Sequence, residues 1–168
     1  MRKRSLAVGA MLLLTVVLTA CGGEETEPGG KDRSYEILDA GGQALYTVSD
    51  ADAVARIDGL LTAFTSGEGT LAGDEEMDAL YTYVCYQEAT VLAGGDPAAE
   101  RDRIEVLRLT VPAEGTEVRL QVLGEGTDAL ADAVPQLDLG ELLTFSYDAD
   151  EATVEALRDP AQFTVPAA

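Results

Sequence analysis

Two acidic clusters, Asp50 with Asp52 and Asp148 with Asp150 and Glu151, come closest in type and spacing to a recognisable chemistry. Carboxylates two residues apart are how a calcium loop begins, because a hard cation gathers several oxygen ligands. The EF-hand pattern breaks at both. Val54 and Ala152 fill its third ligand position, and Ala55 and Thr153 stand where the sharp-turn glycine belongs. Each cluster instead precedes an apolar-periodic run, where a carboxylate accepts hydrogen bonds from the open amides of a helix start. Capping is therefore the first reading of Asp50, Asp52, Asp148 and Asp150, metal ligation a weak second, and no cofactor is expected. The same carboxylates could form the acid and base pair of a carboxylate-dependent hydrolase, but only their abundance speaks for it.

Histidine is absent, and this excludes more than any residue present. Without imidazole there is no Ser-His or Cys-His nucleophile pair, no His-ligated zinc and no histidine acid or base near neutral pH. The only lysine beyond Lys3 is Lys31, in a Gly- and Glu-rich stretch. Cys85 follows Tyr81, Tyr83 and Val84 and precedes Tyr86. No basic neighbour in sequence would lower its pKa, so a small core residue is its first reading, with an intermolecular disulfide or redox activity as the alternatives. In an extended strand Tyr81 and Tyr83 point to one face and Tyr86 to the other. They are either core aromatics or part of a recognition surface.

These residues need elements to hold them. Tyr35 to Ala40 and Ala44 to Val48 flank Gly41-Gly42 and predict a β-hairpin, since glycine supplies the positive φ of a tight turn. Val54, Ile57, Leu60 and Leu61 recur at helical spacing and predict a helix over 50–64, stopped by Gly67 and Gly69. Leu71 to Asp78 reads as an acidic loop or short helix. Leu80 to Tyr86 is the strongest β signal, aromatic and β-branched on both faces, and belongs in the sheet interior. Ile104 to Val111 and Thr116 to Leu123 are two further strands around Pro112-Ala113-Glu114-Gly115. Val118, Leu120 and Val122 point inward, and Glu117, Arg119 and Gln121 outward. Glu105 and Arg108 on the neighbouring strand suggest cross-strand ion pairs on the wet face. A short helical piece over Thr127 to Val134, a strand over Leu142 to Tyr147 and a helix carrying Val154 and Leu157 up to Pro160 complete the chain. Strands arriving in hairpins with few helices between them indicate the α+β class: a mainly antiparallel sheet of about five to six strands with two helices packed on one face.

The first residues decide where this domain folds. Arg2-Lys3-Arg4 precede an uncharged run from Ser5 to Ala20, too short to span a bilayer and shaped like a signal peptide. It ends in Leu18-Thr19-Ala20-Cys21, which resembles the lipobox of bacterial lipoproteins. The resemblance covers these four residues and the leader. It implies that diacylglycerol is joined to the Cys21 thiol, that signal peptidase II cuts before it, and that acyl chains such as palmitate hold the protein on the extracytoplasmic side of the cell membrane. Each buried methylene of such a chain contributes about 0.8 kcal/mol, so two or three chains anchor durably. The expected organisation is a cleaved signal peptide over 1–20, a flexible acidic Gly-rich tether over 21–34 and a single domain over 35–165.

Beyond Ala20 the chain holds 8 basic and 31 acidic residues, a net charge of −23. Such a surface repels a phosphate backbone, so no nucleic-acid partner is expected. The expectation from sequence is a lipid-anchored, non-catalytic cell-envelope domain. Its partners are the bilayer through acylated Cys21 and another envelope protein or a cationic ligand, with an accessory cation-binding role as the alternative. Asp50, Asp148 and Glu151 meeting around a pocket would favour that alternative.

Overall fold

A computed structural model describes residues 32–73, 77–89, 102–123 and 143–164. Seven strands form one antiparallel sheet: β1 (Arg33–Asp39), β2 (Ala44–Val48), β3 (Thr70–Leu71), β4 (Ala79–Glu88), β5 (Arg103–Pro112), β6 (Glu117–Val122) and β7 (Thr144–Asp148). Two helices, α1 (Ala51–Thr65) and α2 (Glu151–Arg158), and a 3₁₀ turn over Pro160–Phe163 accompany it. The spatial order is β2-β1-β4-β5-β6-β7-β3. The class is α+β, with one or two more strands than the sequence suggests. The expected helical piece over Thr127 to Val134, the leader and most of the tether lie outside the described residues.

Period-two alternation puts Tyr35 and Ile37 of β1, Tyr83 and Cys85 of β4, Leu107, Leu109 and Val111 of β5, Val118 and Leu120 of β6, and Phe145 and Tyr147 of β7 on one face. The apolar stripes of both helices, Val54, Ile57, Leu61 and Phe64 with Val154 and Leu157, cover that face and close the core. Tyr83 lies wholly buried and donates its hydroxyl hydrogen to the Leu157 carbonyl at 2.6 Å, tying the central strand to α2. Arg158, at the end of α2, reaches the carbonyls of Pro112 and Gly115 and so clamps the β5–β6 turn to the helix.

Several local features differ from the sequence reading. β1 begins at Arg33, two residues ahead of the expected domain start at 35, because Arg33 and Ser34 pair with Gln87 and Tyr86 of β4. Thr70 and Leu71 are neither loop nor helix. They form a two-residue edge strand on β7, opposite Ser146 and Phe145. In the β1–β2 turn only Gly42 takes a positive φ, 78°, while the Asp39 carboxylate accepts from the amides of Gly41 and Gln43. Arg108 and Glu105 pair at 2.9 Å within β5 rather than across strands. A register shift there sets Tyr86 opposite Glu105 and Cys85 opposite Leu107, leaving Val106 as the extra residue of a bulge. That one residue turns an i, i+3 pair, which a regular strand would send to opposite faces, onto the same face.

Candidate functional site

The acidic clusters resolve first into structure. Asp50 caps α1 by accepting from the Ala53 amide at 3.0 Å. Asp150 caps α2 through the Thr153 amide at 2.9 Å and the Thr153 hydroxyl at 2.6 Å. The Thr153 hydrogen bonds hold the Asp150 carboxyl below the usual carboxylate range. Asp52 and Glu151 sit in the first turns, where the helix dipole favours negative charge. Among the described residues no three metal-competent side chains converge, so Asp50, Asp148 and Glu151 do not form the cluster that a cation site of that composition would need. Asp148 parts company with its neighbours: it closes β7 and faces a pocket.

Cys85 lies in the core, 2 % exposed, opposite Tyr35 in the β1–β4 ladder. Its burial agrees with the core reading and removes the thiol from the reach of a second molecule. Tyr83 is core as well, and Tyr81 packs partly against it. Tyr86 is on the far face as expected, near Glu36 and with the Arg103 guanidinium 6.0 Å from its ring centre.

Two concavities bring together residues that the sequence reading did not single out. The first is an open groove of about 620 Å³ between α1 and the strand ends that carry Arg33, Glu88 and Arg103. Asp58 of α1 forms one wall, accepting from the Tyr35 hydroxyl at 2.5 Å and from Arg33 at 2.9 Å. Burial pushes the Asp58 carboxyl upward while Tyr35 and Arg33 pull it back. Burial, and then the nearness of Cys85 and Asp58, pushes the Tyr35 hydroxyl well above its ordinary value. Arg33 and Tyr35, two residues apart on a strand, share a face. Only the tertiary fold brings Asp58 to them, so no local signal could have found the trio. Its charges are internally matched, and its evident work is to fix α1 on β1.

The second is a pocket of about 290 Å³ between the end of α1 and the β6–β7 edge, lined by Glu68, Thr70, Glu117, Ser146, Tyr147 and Asp148. Glu117 and Asp148 stand directly opposite each other in the antiparallel ladder. The Ser146 hydroxyl donates to Glu117 at 2.8 Å, and the Arg119 guanidinium stands 3.8 Å from the same carboxylate. Tyr147 forms the floor, its ring 5.6 Å from that of Phe64 and only 4 % of the residue exposed. Its ring lies against Gly69, where an added Cβ would come within 2.6 Å of it, so glycine is what admits the tyrosine here. The Tyr147 hydroxyl has no hydrogen-bond partner among the described residues, and burial alone lifts it to about 12. A signal for this site did exist in the sequence. Alternation along β6 put Glu117 on the outer face, but nothing local paired it with Asp148.

Comparison of the chain with family models, with curated proteins and with solved structures returns no match. The functional reading therefore rests on the residues themselves.

Proposed function

We propose that the protein is a lipoprotein anchored through Cys21, whose folded domain works outside the cytoplasm by binding and carries out no reaction of its own. The observation that carries this reading is the run Leu18-Thr19-Ala20-Cys21 at the end of a basic-then-apolar leader. The start of β1 at Arg33 fits it: the eleven residues from Gly22 to Asp32 leave at most about 40 Å of extended chain between anchor and sheet. The domain would then work close to the bilayer, its charge of −23 holding it off anionic lipid. The assignment of Asp50 and Asp150 to helix caps supports binding over carboxylate catalysis, because those groups are already engaged with the backbone.

The test is retention on the membrane. Native membranes washed at high salt should keep the protein, whereas the Cys21→Ala form should leave with the wash or be found uncut. Equal retention of both forms would refute the anchor.

A cation-binding role is the second reading, favoured by the pocket floored by Tyr147, where carboxylates face one another without matching positive charge.

A further inference from the structure

Glu117 and Asp148 occupy directly opposed positions in the β6–β7 ladder, and like charges so placed weaken a sheet. Glu68 adds a third carboxylate to the same pocket, and Arg119, beside Glu117, is the one cationic side chain that an ion pair places there among the described residues. The pocket therefore has more negative charge than the fold neutralises. At its floor lies the Tyr147 hydroxyl, on a residue 96 % buried and without a hydrogen-bond partner among the described residues. Burying a hydroxyl without a partner is unfavourable, and a ligand able to meet it recovers that loss.

We propose that this pocket is a binding subsite for a small organic cation of the ammonium or guanidinium class. Glu117, Asp148 and Glu68 hold the charge, and the Tyr147 oxygen accepts one N–H. This deepens the reading of the domain as a binding module and does not depend on the lipid anchor.

The chemistry favours an organic cation over a metal ion. A hard divalent cation needs a close shell of oxygens, and no three metal-competent side chains converge among the described residues. One side of the pocket is aromatic, formed by Phe64 and Tyr147, which suits a carbon skeleton behind a charged head and adds cation–π attraction. The other side is carboxylate and hydroxyl, with Thr70 and Ser146 beside the acids. Tyr147 stays protonated throughout the neutral range, so it presents a neutral oxygen as acceptor and can turn its own hydrogen to a carboxylate.

The experiment is a calorimetric titration of the full mature chain in detergent micelles at low salt, with n-butylguanidinium as the probe and neutral n-butylurea as its control. Saturable one-to-one binding of the cation, without measurable binding of the urea, is expected. Tyr147→Phe should weaken it about tenfold, the size of one hydrogen bond to a charged group. Glu117→Gln should weaken it comparably while leaving the far-ultraviolet spectrum unchanged. If Tyr147→Phe does not fold, Asp148→Asn carries the same comparison. Linear, non-saturating heats, equal binding of the urea, or undiminished affinity in the variant that folds would each overturn the proposal. So would calcium ions displacing the probe more effectively than sodium at equal ionic strength. The Cys21→Ala chain should bind the probe equally well, so a failed anchor and a failed subsite give different results.

Discussion

Residue by residue, the chain uses its few special side chains as structure. Cys85 is the clearest case. Its place under the helices predicts that a disulfide reagent modifies it slowly in the native protein and at the free-thiol rate in denaturant. Fast native modification would contradict the core assignment. Asp150 bears on acid stability, and the sign follows from its hydrogen bonds to Thr153. A carboxyl held below its unfolded value, about 3.9, contributes stability above that value and loses it as pH falls through the lower folded value. Chemical denaturation of Asp150→Asn should accordingly show a smaller loss of stability than the parent between about pH 5 and pH 2. An equal loss would mean that the cap has no part in it.

At the scale of elements, the strands and both helix starts were legible because each is set by short-range rules. Alternation marked β6, and a mixed aromatic and β-branched run marked β4. A carboxylate three residues ahead of an open amide marked both caps. Asp50→Ala should cost about 1 kcal/mol of stability in equilibrium unfolding, as loss of an N-cap does. What the sequence concealed needs two distant segments at once. The Arg33–Asp58–Tyr35 trio spans 25 residues, the bulge at Val106 appears only when β4 and β5 are paired, and β3 is a strand only because β7 offers it an edge. The pocket was half-legible. Asp148 was among the acidic candidates, but Glu117 read as decoration of a wet face and Tyr147 as an ordinary strand aromatic. Gly69 shows how tightly these segments meet. Gly69→Ala should destabilise the fold by about 1 to 3 kcal/mol through overpacking against Tyr147, measured as a lowered denaturation midpoint. An unchanged midpoint would show that the ring moves aside freely.

The whole molecule is a strongly anionic sheet domain with its tyrosines sealed between sheet and helices. Burial raises the hydroxyls of Tyr35, Tyr83 and Tyr147, so the stability they contribute is complete below the ordinary tyrosine value of 10.0 and is lost as pH rises beyond it toward their folded values. Their ionisation, followed by ultraviolet absorbance, should coincide with alkaline unfolding followed by circular dichroism. Smooth ionisation ahead of unfolding would contradict their burial. The central claim, however, concerns where this body is held, and the intact mass of the protein taken from its native membrane tests it most directly. The account predicts a chain that starts at Cys21 and carries the added mass of a diacylglyceryl group on that residue. A chain that retains residues ahead of Cys21, or an unmodified cysteine at its start, would contradict it.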